Sequence, residues 1–375
     1  MKGIVFITLD CARYDRMSFN GYDKVRHKNL EWFANNGVVY NNLYSQSVTT
    51  PPSHASWLTG LYPFEHGIRR MYDCRLHDNI VTIPQVLNDH GWTTACAVGF
   101  KGLCSEYGLD KGFEQIDEDS DLSRSWGHNK YGGAKGNDWR GWLKNFKWDK
   151  EKKLFIWLHY FFGHTESDKV IPKQYIGIGS DGGYGNDFFK NYDGKFLWFD
   201  EEWLPLIIGK FSPAEFVYVI SADHGDDFGK HEIAHGSYLF EETTHIPMIT
   251  RIVSNQKRMR TTLLVQTTEI LPRIIGNVFN VRVPFSRFPV SYAETLIDYE
   301  CKREMCFRHS IYSDKKRIVY KNPLTIGIGE QEYCDDINFE KENTDYTRFK
   351  ELCNPIGMKK SDEKHKKMLK SLGYL

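Results

Sequence analysis

The chain has 375 residues, and its 49 Lys and Arg are balanced by 49 Asp and Glu, so the formal net charge is zero. There is no basic excess to neutralise phosphates, which argues against a nucleic-acid partner. With 41% hydrophobic and 15% aromatic residues, the composition argues equally against a disordered or acidic solvating chain.

The length fits one large α/β domain, or one domain with a smaller appendage. A core of that size needs no disulfide staples. The eight cysteines, Cys11, Cys74, Cys96, Cys104, Cys301, Cys306, Cys334 and Cys353, contain no Cys-x-x-Cys pair, which argues against a zinc ribbon or a thioredoxin-type motif. The first apolar run is too short for a leader or a membrane segment, and no later stretch is long enough to span a bilayer. The sequence therefore predicts a cytoplasmic protein with reduced thiols.

In chain order, residues 4–9 read as a first buried strand, followed by helices over 28–36 and 53–59. Pro84 suits the start of a third helix covering 85–90. Strands are predicted at 94–98, 154–158 and 216–221, each nearly continuous in apolar residues, as expected for strands covered on both faces. A helix over 195–204 should stop before Pro205, which cannot continue it. Another helix is predicted over 268–276. The glycine-rich stretch 177–185 lacks a preceding strand and a following Gly-Lys-Ser/Thr, so it reads as a loop and not as a phosphate cradle. The aromatic-dense stretch 126–203 reads as core more than as cleft lining. After about residue 283 the composition shifts, with short strand candidates at 310–312 and 317–320 and a charged amphipathic helix over 361–372. The pattern predicts an α/β sheet with its chemistry at the strand C-termini.

Three strand ends carry polar clusters. The first ends in Asp10-Cys11-Ala12-Arg13-Tyr14-Asp15, the third in His159 to His164, and the fourth in Ser221-Ala222-Asp223-His224-Gly225-Asp226-Asp227. Asp10, Asp223 and His224 offer two hard oxygen donors and an imidazole, a mix that suits Mn²⁺ or Zn²⁺ and tolerates Mg²⁺ or Ca²⁺. Either aspartate alone could instead be a helix N-cap. Thr50 precedes Pro51-Pro52-Ser53-His54 at a helix entry, where backbone amides attract an anionic phosphate or sulfate. Metal coordination would make its hydroxyl a nucleophile, although capping by Thr or Ser is also common there. Asp226 and Asp227 read as supporting or plain solvated acids, and Cys11 as a packed thiol. His27, His77, His90, His128, His309 and His365 read as structural or surface histidines, and so do His231 and His245, which lie near the metal motif.

The constellation resembles the sulfatase branch of the alkaline phosphatase superfamily, which includes phosphonate monoester hydrolases and phosphoglycerol or phosphoethanolamine transferases. The Asp10-x-x-Arg13-x-Asp15 run is similar to that family's first-strand motif. Pro52-Ser53-His54-Ala55-Ser56 with Leu58-Thr59-Gly60 resembles the sulfatase signature. Asp223-His224-Gly225, His235-Gly236 and His245-Ile246-Pro247 follow in the family order, and the likeness runs from residue 4 to about residue 277.

The resemblance implies an alkaline-phosphatase-like fold: a mixed, mainly parallel sheet sandwiched by helices, with a catalytic domain over 1–282. A small C-terminal α+β subdomain would cover 283–375. It implies that Asp10, Thr50, Asp223 and His224 hold one divalent metal ion (Mn, Zn, Ca or Mg, with Mn or Zn favoured). It further implies that Thr50 is the nucleophile, that His164 and His235 are catalytic, and that His54, Lys101, His159 and His235 contact the substrate. His164 or His159 would protonate the leaving alcohol. Thr50 stands where formylglycine-forming sulfatases carry Cys or Ser, and His54 where they carry Arg. Thr cannot give the same aldehyde, so phosphate or phosphonate ester chemistry, including phosphodiester cleavage, is expected. Sulfate ester hydrolysis without formylglycine is the alternative, and a degenerate binding protein of the same fold is a second. Cys11 stands where typical members carry a second acid, which implies one metal and not a Ca²⁺ cage. The partner would be a small anionic ester.

Overall fold

The computed structural model describes residues 1–71, 74–119, 136–164, 170–178, 190–230, 235–236, 239–252, 257–286, 291–298, 305–312 and 317–323. The expected helix at 361–372, most of the glycine-rich stretch, and His128, His231 and His365 lie outside the described residues.

The first half alternates strands and helices: β1 (Gly3–Leu9), α1 (Lys28–Asn35), β2 (Val38–Tyr44), α2 (Thr50–Thr59), α3 (Pro63–His66), α4 (Ile83–Asp89), β3 (Thr93–Val98), β4 (Gln115–Asp117), α5 (Arg140–Asn145) and β5 (Leu154–Tyr160). The second half adds α6 (Tyr192–Trp198), α7 (Leu204–Lys210), β6 (Phe216–Ala222), α8 (Glu241–Thr244), β7 (Met248–Arg251), β8 (Met259–Gln266) and α9 (Thr267–Phe279). One eight-stranded sheet runs β4-β3-β5-β1-β6-β7-β2-β8. Its β4 to β6 portion is all parallel, and β7 is antiparallel to both its neighbours. β9 (Ser291–Asp298), β10 (Met305–Tyr312) and β11 (Arg317–Pro323) form a separate antiparallel sheet.

The three central strands are buried along their whole length. That is why their sequences lack the polar alternation of half-exposed strands. β8, at the sheet's edge, is largely exposed. No helix among the described residues is long and apolar enough to cross a membrane.

Two local features depart from the sequence expectations. β5 runs through His159 and Tyr160, so His159 sits in the strand and not past its end. The helix expected to end before Pro205 continues past it. Residues Phe199–Trp203 wind as a π-helix, and Pro205 falls in the first turn of α7. The π-helical turn just ahead of Pro205 changes the hydrogen-bond pattern there, so the helix passes the missing N–H without a break.

Candidate metal centre and active site

Strand register creates the site. Leu9 on β1 pairs with Ala222 on β6 and with Tyr160 on β5. Adjacent strands lie about 4.8 Å apart, so Asp10 and Asp223, each one residue past a paired position, emerge side by side. Gly163 lets the turn after β5 close over this point: a Cβ there would lie 2.1 Å from the Asp10 carbonyl oxygen. Gly225 does the same after β6, where a Cβ would lie 2.0 Å from the Glu242 carbonyl oxygen.

Helix α2 delivers the hydroxyl. Thr49, not Thr50, is the N-cap residue, and its side chain makes no capping hydrogen bond. Thr50 is the first helical residue, and its Oγ1 lies 3.4 Å from Asp10 Oδ2 and 3.3 Å from His224 Nε2. Ser53 Oγ and Ser45 Oγ both donate to the Asp223 carbonyl oxygen, at 2.6 and 2.5 Å, tying α2 to the end of β6.

The donor set fits a cation. Asp10, Asp223, His224 and Thr50 are all buried. Burial pushes the Asp10 carboxyl above its usual range, with His224 and the Cys11 thiol pulling it back. Two adjacent desolvated carboxylates need a positive partner. Asp223 Oδ1 accepts the backbone N–H groups of Cys11 and His224, at 3.2 and 2.8 Å. Asp223 Oδ2 is buried with no hydrogen-bond partner among the described residues, 3.4 Å from His224 Nε2. His224 Nδ1 donates to the Gly225 carbonyl oxygen at 2.8 Å, which fixes the tautomer and leaves a lone pair on Nε2, the usual arrangement of a metal-bound imidazole.

The remaining histidines separate by position. His54 is fully buried; its Nδ1 donates to the Thr50 carbonyl oxygen at 2.8 Å and its Nε2 accepts from Thr8 Oγ1 at 2.9 Å. With both nitrogens engaged inside the protein and its pKa lowered to about 3, chiefly by burial, His54 is neutral. His159 is also fully buried; its Nε2 donates to Asp10 Oδ2 at 3.2 Å, and burial lowers its pKa to about 4. It touches Asp10, one of the expected metal ligands, and can hold that carboxylate in place. Lys101 Nζ pairs with Asp119 at 3.2 Å on the surface. His235 Nδ1 donates to Asp226 Oδ2 at 3.1 Å, and its ring lies 4.3 Å from that of His224 and 5.3 Å from that of His164.

Several contributors carry little sequence signal. Tyr192 Oη accepts from the Arg13 backbone N–H at 2.8 Å and donates to the Cys11 carbonyl oxygen at 2.6 Å. Lys195 Nζ donates to the His164 carbonyl oxygen at 2.9 Å. Arg13, visible in the first-strand motif, grips Asp15 through two bonds of 2.8 Å and donates to the Asp226 carbonyl oxygen at 2.8 Å. It thereby joins the loops that follow β1 and β6.

The family profile described as Sulfatase matches residues 2–278. The chain belongs to the sulfatase family, in the sulfatase branch of the alkaline phosphatase superfamily. Iduronate 2-sulfatase of Mus musculus is 32% identical over 96 residues, covering 24% of this chain and 17% of that protein. The chain thus matches about a sixth of this curated relative's length. The structure of BT4656 in complex with its substrate D-glucosamine-2-N,6-O-disulfate superposes with a TM-score of 0.64 at 14% identity, over 99% of this chain and 98% of that one. The phosphonate monoester hydrolase of Agrobacterium radiobacter also gives 0.64, at 13% identity, over 94% and 95%. At such identities the likeness is one of fold, and it bears out the sulfatase-like mixed sheet between helices expected from the sequence.

Proposed function

We propose that this sulfatase-family chain is a metal-dependent hydrolase or transferase of small anionic esters, acting on phosphate or phosphonate esters through a covalent Thr50 intermediate. The observation that carries this reading is the Thr50 hydroxyl held between Asp10 and His224 at the first residue of α2. A divalent ion held by Asp10, Asp223, His224 and Thr50 would supply Lewis acidity and neutralise the developing negative charge; the mixed donor set favours Mn²⁺ or Zn²⁺.

Thr50 Oγ1 attacks phosphorus in line as the bond to the leaving oxygen breaks, its hydroxyl proton passing to Asp10 Oδ2, the acceptor 3.4 Å away. Pro51 and Pro52 have no N–H and the Ser53 N–H is bonded to the Thr49 carbonyl, so the first turn of α2 leaves only the Thr50 amide for the anionic group. His235, backed by Asp226, is the group best placed to carry a proton to the leaving oxygen. His164 is less suited to arrive charged, because burial and then the neighbouring His235 and Lys195 push its pKa well below the ordinary value. Water or an alcohol then releases the phosphorylated Thr50. Sulfate ester hydrolysis is the second reading, favoured by the local likeness to iduronate 2-sulfatase.

The test is a panel of aryl phosphate monoester, diester, phosphonate and sulfate, run on wild type and Thr50→Ala after Mn²⁺ or Zn²⁺ loading. Thr50→Ala should lose about three orders of magnitude or more in kcat; full activity in that variant would overturn the mechanism. Turnover of the aryl sulfate alone would overturn the phosphoryl preference. No bound metal on titration would favour the binding-protein alternative.

A further inference from the structure

Cys11 is fully buried, and its sulfur faces polar groups. Its Sγ is 2.8 Å from Asp10 Oδ1 and 3.7 Å from His235 Nδ1. A thiol kept for packing alone sits among apolar side chains, whereas this one faces a carboxylate and an imidazole. The backbone makes the same point. Cys11 adopts φ +60°, a left-handed conformation that ordinary side chains rarely take. Tyr192 Oη bonds its carbonyl oxygen, and Asp223 Oδ1 accepts its N–H. The loop is therefore held in a turn that presents Sγ to the polar cluster.

Ligand atoms of Asp10, Cys11 and His224 all lie within 4.8 Å of one another, and so do those of Cys11, His164 and His235. A further sign of an ion beside this cluster is Asp223 Oδ2, which is buried with no hydrogen-bond partner among the described residues, 3.4 Å from His224 Nε2; its own group of close ligand atoms is with His54 and His159. We propose that Cys11 Sγ is a direct ligand of the divalent ion, alongside Asp10, Asp223 and His224, and that the sulfur biases the site toward a thiophilic ion such as Zn²⁺. The inference rests on the metal-centre reading given above. Coordination takes the thiolate: the S–H proton, now donated to Asp10 Oδ1, leaves to solvent as the sulfur–metal bond forms. Soft sulfur selects Zn²⁺ or Co²⁺ over Mg²⁺ and Ca²⁺, which prefer oxygen.

The experiment titrates the metal-free full-length chain with Co²⁺ and follows the near-ultraviolet spectrum, with wild type, Cys11→Ser, Cys11→Asp and Asp223→Asn compared. Wild type should develop a sulfur-to-cobalt charge-transfer band. Cys11→Asp, whose side chain tolerates the left-handed backbone, should bind Co²⁺ without that band, and so should Cys11→Ser if it folds by circular dichroism. X-ray absorption of the Zn²⁺ form should show a sulfur shell at about 2.3 Å in wild type only. If wild type binds Co²⁺ in an Asp223-dependent way but shows no band, or if the band persists in Cys11→Asp, Cys11 is not a ligand and the metal centre stands without it. If wild type binds no metal, the metal-centre reading falls and this inference falls with it.

Discussion

The histidines around Asp10 and Asp223 divide into an inner and an outer pair. His54 and His159 lie fully buried beneath the carboxylates, bonded to Thr8, the Thr50 carbonyl and Asp10. Burial holds them at about 3 and about 4, so they are neutral at neutral pH and serve as fixed hydrogen-bonding parts. His164 and His235 stand edge to face at the margin, with the side chain of His235 11% exposed and backed by Asp226. The same residue type does two jobs. An imidazole sealed beneath the carboxylates is fixed by its own hydrogen bonds, and in the mechanism proposed above one at the rim with a carboxylate behind it exchanges a proton.

The largest expected effect tests that division directly. His235→Ala should lower kcat/KM for the preferred ester by about 10²–10⁴-fold, with stability changed by less than about 1 kcal/mol. His54→Ala should do the reverse in stability. It leaves a cavity, removes the side-chain donor to the Thr50 carbonyl and takes the acceptor from the Thr8 hydroxyl, costing about 2–4 kcal/mol. Urea unfolding beside steady-state kinetics measures both. A stable but inactive His54→Ala, or a destabilised but active His235→Ala, would break the comparison.

The division was only half legible in the sequence. The continuous apolar runs of β1, β5 and β6 announce strands covered on both faces, and the polar residues just beyond β1 and β6 group Asp10, Asp223 and His224; Thr50, at the entry to α2, joined them only through the family resemblance. β2, β7 and β8 went unread. β7 is four residues long, β2 carries Asn41 and Asn42 in mid-strand, and β8 is largely exposed at the sheet edge. The roles of His54 and His159 depend on which atom each nitrogen meets. Those atoms are supplied by residues remote in sequence, such as Thr8 for His54, 46 positions away, and Asp10 for His159, 149 positions away. Spacing along the chain carries no trace of such contacts. Pro205 misled because a π-turn, which depends on packing, moved it into a first turn.

A histidine buried like the inner pair but away from the proposed ligands isolates the structural half of the comparison. His66 is fully buried; its Nδ1 accepts from the Ile68 N–H at 3.1 Å and its Nε2 donates to Ser56 Oγ at 3.1 Å. Burial, with His77 and Arg69 nearby, lowers its pKa to about 3. Between that value and about 6.5 the unfolded chain binds a proton that the folded chain refuses. Its stabilising contribution is complete above about pH 6.5 and is lost as the pH falls toward 3, with a slope of about 1.4 kcal/mol per pH unit from this one residue. His66→Gln, which keeps hydrogen-bonding capacity but does not titrate, should flatten the acid limb of the stability–pH curve by that amount. An unchanged slope would mean that His66 titrates normally and that burial is not what neutralises these rings.

The smallest effect concerns what holds the rim in place. Tyr192 is fully buried, and its hydroxyl serves two backbone groups of the loop after β1, the Arg13 N–H and the Cys11 carbonyl. Tyr192→Phe keeps the ring packed edge to face against Phe196 and Phe228 and removes only the hydroxyl. Losing these bonds should cost about 1–2 kcal/mol in urea unfolding. The loop that loses them contains Cys11 in its left-handed turn, a conformation kept only while its surroundings over-determine it. If Tyr192 is what over-determines it, Co²⁺ affinity should fall by about as many kcal/mol as stability does, or by more, because the relaxed loop no longer presents a preformed site. If stability falls and Co²⁺ affinity does not, the turn is held by Asp223 through the Cys11 N–H instead. The rim would then be fixed from the strand side, by the same carboxylate that anchors the floor.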